Sequence, residues 1–175
     1  EDIKRVPIII GCTDLDTCRS IGETLAEILE NEKRKWVVVI STDLSHYHSY
    51  DEAQSIDSVF IDALTTFDEK SLYSILQSDK AQACGEGPVL SGMIASHQLG
   101  ASEVKVLKYA NSGDSAGPRD QVVGYISAAF VKYLIEERGK SKFLELFKDQ
   151  TYYNAKKVYG DEIDSLISEF ERKLL

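Results

Sequence analysis

Apolar residues recur along this chain in two patterns, as short continuous runs and at helical spacing. Residues 6–10 (Val-Pro-Ile-Ile-Ile) and 36–40 (Trp-Val-Val-Val-Ile) are continuous runs, which are typical of strands buried on both faces. Between the runs, residues 17–31 place apolar side chains on one helical face, namely Ile21, Leu25, Ile28 and Leu29. This order predicts a βαβ unit whose second strand extends to residue 41.

Three further amphipathic helices are predicted after the second run. Residues 51–64 have helical spacing, Asp68 is a suitable N-cap for the next helix, and the turn at residues 85–88 (Gly-Glu-Gly-Pro) starts the third. The side chains predicted to face inward are Ile56, Val59, Phe60 and Ala63, then Leu72, Ile75 and Leu76, then Leu90, Met93, Ile94 and His97.

Two more strands and a helical tail complete the prediction. Residues 104–109 and 122–130 are strand-like and are joined by a turn-rich stretch at 111–118, which favours a hairpin or a neighbouring antiparallel pair. From residue 132 the apolar spacing is helical, with a break near Gly160.

Composition limits the protein class, and the distribution of charge suggests a boundary. The chain has 175 residues, enough for one substantial core, and a formal net charge of −9, which argues against nucleic acid or an anionic membrane as partner. Residues 1–131 carry 11 basic and 20 acidic residues, whereas residues 132–175 carry 9 of each. We therefore expect a body at 1–131 and a helical extension at 132–175.

The first residues, the apolar runs and the cysteines give three further expectations. Residue 1 is Glu rather than Met and the first predicted strand follows almost at once, so we expect the chain to have been cut from a longer one. No run of about 18 apolar residues is present, which predicts no membrane span. Three cysteines without paired spacing favour reduced thiols in a cytosolic protein.

The first candidate for chemistry is the segment after the second predicted strand. Asp43 and His46 leave the same strand end, where open α/β sheets bind ligands. One interpretation is structural: Asp43 caps a turn and His46 bonds to backbone. The functional interpretation is a base or ligand His46 oriented by the Asp43 carboxylate. His48 would form a His-x-His pair suited to Zn, but we interpret it as a surface residue.

The second candidate is Cys84, which immediately precedes the turn at residues 85–88 that starts the third of these predicted helices. The positive end of a helix dipole favours a thiolate, and a thiolate can bind metal; the alternative is a small buried residue at a tight turn. Cys12 and Cys18 have no such setting and are expected to be structural, and His97 is expected to be a core histidine. Asn111, Ser112 and Asp114 are expected to form a local turn.

Four motifs in the same order resemble those of the Memo family, which is also called protein B of the AmmeMemoRadiSam system and is related to the class III extradiol dioxygenases (LigB-like). They are residues 41–47 (Ser-Thr-Asp-Leu-Ser-His-Tyr), 84–88 (Cys-Gly-Glu-Gly-Pro), 107–114 (Leu-Lys-Tyr-Ala-Asn-Ser-Gly-Asp) and 122–125 (Val-Val-Gly-Tyr). The resemblance covers roughly residues 5 to 131 and corresponds to the C-terminal portion of the family. It implies a three-layer α/β fold with a mostly parallel or mixed sheet flanked by helices.

The resemblance also implies a metal-dependent redox or dioxygenase-type activity on an unknown substrate. Its centre would hold non-haem iron or copper, with Cys84 as ligand, His46 as ligand or acid/base and Asp43 as the orienting carboxylate. The family's Pro-His-Ala-Gly-Tyr-like and Glu-His-Ser-like motifs, whose histidines complete the site, are missing from this sequence, so the implied site is incomplete.

Two alternatives remain open at this point. One is a non-catalytic protein that uses the same pocket for a peptide or partner, with the radical-SAM and AMMECR-type proteins of the same system as candidates. The other is a structural Zn site made by His46, His48 and Cys84, which needs a fourth ligand. In every case we expect His46 and Cys84 to approach one another with Asp43 beside them.

Overall fold

A computed structural model describes residues 4–131 of the chain, apart from residues 12, 35 and 116. It contains four helices: α1 (Leu15–Glu30), α2 (Tyr50–Thr65), α3 (Glu69–Gln77) and α4 (Glu86–Gln98). Its strands are β1 (His46–His48), β2 (Glu103–Asn111) and β3 (Val122–Val131), with a short 3-10 helix at Ser112–Asp114. The predicted extension at 132–175 and the structural assignment of Cys12 concern residues outside this description.

The helices begin and end close to where the sequence predicts, because local capping signals define them. Asp14 caps α1 by accepting from Thr17 N at 2.9 Å. Asp68 caps α3 through the backbone N–H groups of Lys70 and Ser71, which confirms its predicted role. The N-cap of α4 is Gly85, and Pro88 lies within the first turn, where its missing N–H costs nothing.

The described strands form one antiparallel sheet in the order β1-β3-β2. β2 and β3 pair along their length, from Glu103 opposite Val131 to Asn111 opposite Gly124, which confirms the predicted antiparallel pair. The mostly parallel or mixed sheet that the resemblance implied is not what these residues form, since every described ladder is antiparallel.

The core lies between the helices and one face of the sheet. Its fully buried apolar side chains come from all four helices, from the segment before β1 and from β3. They include Cys18, Leu44, Phe60, Leu72, Leu90, Met93 and Val122. α1 packs closely on α4: a Cβ at Gly22 would lie 2.6 Å from the carbonyl oxygen of Ser91. In the described range no helix is long and apolar enough to cross a membrane.

Burial of the two continuous apolar runs was predicted wrongly. Residues 4–11 and 36–45 belong to no described ladder, and Val6, Ile9 and Val37 are exposed by 84, 96 and 81%. A continuous apolar run signals neighbours on both faces of a strand, and the described residues do not supply them. The residues expected to form parallel strands are thus present as unpaired extended chain.

His97 is also placed differently from its prediction. It was expected on the buried face of α4, whereas it is exposed and its ring stacks on Phe67 with centroids 5.0 Å apart. The buried stripe of α4 ends at Ala95, one turn before the helix terminates at Gln98. The residue is therefore a surface aromatic contact.

Candidate functional site

The segment that carries Asp43 and His46 is fastened to the centre of the sheet. Leu44 N donates to the carbonyl of Gly124 at 2.8 Å, and Gly124 N donates to the carbonyl of Ser45 at 2.9 Å. Leu44 and Ser45 are fully buried, whereas Asp43 and His46 on either side of them are partly exposed. The two candidate side chains therefore flank a fixed dipeptide.

Cys84 lies directly against Asp43, as the sequence predicts. Cys84 N donates to the Asp43 carbonyl at 3.0 Å, and Asp43 N donates to Cys84 Sγ at 3.1 Å. The pairing needs a glycine next to the cysteine, since a Cβ at Gly85 would lie 2.6 Å from the Ser41 carbonyl oxygen. The sulfur thus lies beside the N-terminus of α4 with a backbone N–H directed at it.

Asp43 connects the cysteine to the histidine. Its Oδ2 lies 3.8 Å from His46 Nε2, with the two side chains 48 and 34% exposed. This separation is an ion-pair distance when the ring is protonated and is too long for a direct hydrogen bond. Asp43 is thus the shared neighbour of Cys84, through its backbone, and of His46, through its carboxylate. The expected direct approach of His46 to Cys84 stays a prediction.

His48 is held away from this group by contacts of its own. Its Nε2 lies 3.3 Å from Gln82 Oε1, and its Nδ1 lies 3.4 Å from Glu52 Oε1. Between the histidines, Tyr47 has a left-handed backbone with φ 63°, and the β1–β3 register shifts there. Because both ring nitrogens have partners, a Zn site using His48 would first have to break one of these contacts. The ring is half-buried rather than fully exposed.

The third group of candidate residues, at positions 111–114, forms a local turn. Asn111 Oδ1 accepts from Gly113 N at 2.9 Å and Asp114 Oδ2 accepts from Asn111 N at 2.9 Å, which together close a capping box. Asp114 Oδ1 also accepts from the Tyr50 hydroxyl at 2.6 Å. These contacts confirm the local interpretation of the motif.

Asp57 is a buried carboxylate that the sequence reasoning missed. Its Oδ1 accepts from Ser45 N at 2.9 Å and its Oδ2 accepts from the Tyr109 hydroxyl at 2.7 Å. The pKa of Tyr109 is raised, mainly by burial and secondly by the hydrogen bond to Asp57. The phenol therefore stays protonated and donates. Its position in the helical pattern could have revealed it, because Asp57 lies on the buried stripe of α2 with Ala53, Phe60 and Leu64.

The donor chemistry of the group fits part of a metal centre. A thiolate, an imidazole and a carboxylate are the ligand types of iron, copper and zinc sites. Within the described range, however, no three His, Cys, Asp or Glu side chains are placed so as to hold an ion together. The described residues alone do not make a complete metal site.

A family model described as Memo-like protein matches residues 1–129. The chain belongs to the Memo family. The match includes Asp43, His46 and Cys84, all of β2 and all but the last two residues of β3, so the resemblance drawn from the motifs is confirmed.

Two relatives named as MEMO1 family proteins support the family assignment. The Memo-family chain is 40% identical to a MEMO1 family protein of Methanosarcina mazei over 124 residues, which are 71% of this chain and 46% of the relative. It is 38% identical over 130 residues to one of Methanopyrus kandleri, covering 74% of this chain and 46% of that protein. The chain therefore spans about half the length of the curated relatives it matches.

Proposed function

We propose that this Memo-family chain supplies one side of a metal-dependent redox centre that uses non-haem iron or copper. The observation that supports the proposal is that Asp43 contacts Cys84 Sγ through its backbone N–H while its carboxylate lies 3.8 Å from His46 Nε2. A thiolate beside an imidazole is a donor pair that these metals accept. When bound, the metal would supply the redox chemistry on an oxidisable substrate.

The roles of the three residues follow from their contacts. The Asp43 backbone N–H donates to Cys84 Sγ and would hold the sulfur in place to bind a cation. The Asp43 carboxylate faces His46 Nε2 and would orient the ring and attract its proton, which leaves His46 as ligand or acid/base. Further donors would have to come from outside the described residues.

The source of those donors is part of the proposal. The matched region is 46% of the Methanosarcina mazei relative, so more than half of that protein lies outside the match. We call that remainder the complementary segment. A polypeptide of this kind would complete the ligand set and the finer, three-layer dioxygenase-like fold, which stays a prediction.

Metal binding tests the proposal. The 175-residue chain, loaded anaerobically with Fe(II) or Cu(I) and dialysed, should keep little metal, since durable sites usually take about three or four protein donors. Adding the complementary segment should raise the metal content, measured by inductively coupled plasma mass spectrometry, towards one ion per chain. Cys84→Ser should remove that gain.

Cys18→Ala is the control, because Cys18 is a buried thiol in α1 that belongs to the core. Circular dichroism should show both variants folded, and the control should keep its metal. Stoichiometric metal in the isolated chain that survives Cys84→Ser would contradict the proposed ligands.

One observation favours a second candidate, a non-catalytic protein that binds a peptide or partner at the same place. The described residues do not form a three-ligand group, and the Asp43 and His46 side chains stay open to solvent. An oxygen-uptake screen of the metal-loaded complex with small oxidisable aromatic compounds separates the two. Turnover that His46→Ala abolishes supports the redox function, whereas metal binding without any turnover supports the binding function.

A further inference from the structure

Asp57 is fully buried, although its side chain ends in a carboxyl group. It lies on the inward face of α2, on a stripe that is otherwise made by apolar side chains such as Ala53 and Phe60. Aspartate is almost never fully buried unless its oxygens have partners, because taking a carboxyl group out of water is costly. Both oxygens of Asp57 must therefore be satisfied by protein groups.

Each oxygen accepts a hydrogen bond from a different segment of the chain. Oδ1 accepts from Ser45 N at 2.9 Å, and Oδ2 accepts from the Tyr109 hydroxyl on β2 at 2.7 Å. A carboxyl group can do this because it offers two acceptor oxygens, whereas an amide of the same shape offers one. Asp57 thereby joins α2 to the segment before β1 and to β2.

The bond to Ser45 completes the N–H pairing of the buried dipeptide Leu44–Ser45. Leu44 N and the Ser45 carbonyl are both paired with the backbone of Gly124. Ser45 N is the remaining N–H of the dipeptide, and it donates to Asp57. A buried N–H without a partner is rare and costly, so without Asp57 the dipeptide would have to move.

Movement of the dipeptide would change the candidate site, because Asp43 precedes the dipeptide and His46 follows it. Asp43 Oδ2 lies 3.8 Å from His46 Nε2, and Asp43 N lies 3.1 Å from Cys84 Sγ. Functional groups must usually be held within about 0.5 Å of their working positions. Both separations therefore depend on a fixed Leu44–Ser45.

We propose that Asp57 is a positioning residue of the candidate site and holds Asp43 and His46 in place through Ser45 N. Tyr109 contributes by holding the second oxygen of Asp57. This role rests on the proposed function only in taking Asp43, His46 and Cys84 as the site, and it can be measured without metal.

Hydrogen exchange of the metal-free 175-residue chain, followed by NMR, tests this role. Asp57→Ala should speed exchange of the Ser45, Asp43 and Cys84 amides about tenfold relative to the amides of the β2–β3 ladder, which report global opening. Asp57→Asn should restore slow exchange. Its amide oxygen can accept from Ser45 N while its NH2 group donates to the Tyr109 oxygen.

Asp62→Ala is the matched control, since Asp62 is an exposed aspartate of the same helix, and it should exchange as the parent chain does. Leu76→Ala removes a core side chain of α3 and should speed exchange equally at the site and in the ladder. Tyr109→Phe covers the case that Asp57→Ala does not fold. It should speed exchange at the same site amides by a smaller factor.

Three results would each overturn the positioning role of Asp57. They are site amides in Asp57→Ala that change no more than the ladder, an Asp57→Asn chain that exchanges like Asp57→Ala, and a Tyr109→Phe chain with an unchanged site. In the metal reconstitution with the complementary segment, Asp57→Ala should lower metal affinity about tenfold and Asp57→Asn should restore it. If the parent chain binds no metal there, the proposed function fails, while hydrogen exchange still decides the role of Asp57.

Discussion

Asp57 shows how one buried side chain can position a surface site. Its carboxylate accepts from Ser45 N, next to His46, and from the Tyr109 hydroxyl on β2. A Cβ at Gly124 on β3 would lie only 2.7 Å from Asp57 Cγ and still closer to Oδ2. The glycine therefore gives the carboxylate room to reach the segment that carries the candidate site.

Gly124→Ala should destabilise the protein by about 2 to 3 kcal/mol, because overpacking a tight site displaces the groups around it. Urea unfolding followed by circular dichroism measures the change. Gly11→Ala is the control, since nothing lies within 4 Å of its added Cβ, and it should change stability by less than about 0.5 kcal/mol. In an Asp57→Ala background Gly124→Ala should cost less than it does alone; equal costs would disprove the steric coupling.

The pair Tyr50 and Asp114 predicts a pH dependence. The hydrogen bond from the Tyr50 hydroxyl holds the pKa of Asp114 below its ordinary 3.8 and raises the pKa of Tyr50 above its ordinary 10.0. A lowered carboxyl pKa gives stability that is present above pH 3.8 and lost as pH falls through the folded value. A raised phenol pKa gives stability that is present below pH 10.0 and lost as pH rises through the folded value.

Tyr50→Phe should move the Asp114 pKa up towards its ordinary value, as followed by NMR titration of the side-chain carboxyl carbon. Tyr47→Phe is the control because Tyr47 is an exposed tyrosine. An Asp114 titration that is the same in Tyr50→Phe and in the parent would show that the bond does not form in solution.

At the scale of elements, the beginning of α4 connects two distant segments. Gly85 N donates to Thr42 Oγ1 at 2.9 Å, so the threonine supplies a polar partner to the N-cap residue of the helix that follows Cys84. The same threonine precedes Asp43, whose backbone bonds to Cys84 in both directions. The helix start and the candidate site therefore share one network of hydrogen bonds.

Thr42→Val keeps the shape of the side chain and removes the acceptor, which should cost about 1 kcal/mol of unfolding free energy. Hydrogen exchange at Gly85 should increase together with that loss. Thr24→Val, where the hydroxyl bonds only to the exposed Ser20 carbonyl, should change stability by less than about 0.5 kcal/mol. A stable Thr42→Val protein with an unchanged Gly85 amide would contradict this account.

The elements also show which parts of the structure the sequence can predict. Caps such as Asp68 and helical spacing depend on neighbours a few residues away, so α1 to α4 and the β2–β3 pair were predicted correctly. The approach of Cys84 to Asp43 followed from element order and the family motifs. Residues 6–10 and 36–40 were expected to be buried, yet most of their side chains are exposed. The role of Asp57 depends on Gly124, 67 positions later in the printed sequence. Long-range partners of this kind leave no local pattern.

At the scale of the whole molecule, the family match and the balance of charge change in the same part of the chain. The Memo-like match stops at residue 129, within β3, and the excess of acidic residues is confined to residues 1–131. We therefore expect residues 1–131 to fold as one body.

Deleting residues 132–175 should therefore leave a body that unfolds in a single cooperative transition, as measured by urea titration with circular dichroism and fluorescence. The coincidence of the two probes is the internal control. A gradual transition, or transitions that differ between probes, would show that the deleted residues belong to the core.

The irregular strand β1 has a consequence for the solubility of the chain. β1 is a sheet edge of three residues with a register shift and a left-handed Tyr47, and such an edge is a poor template for strands of other molecules. Residues 36–40 have the opposite character, since they are apolar, uncharged and rich in β-branched valine. Aggregation of the purified chain should therefore begin at residues 36–40, and Val39→Lys should slow it while leaving β1 unchanged.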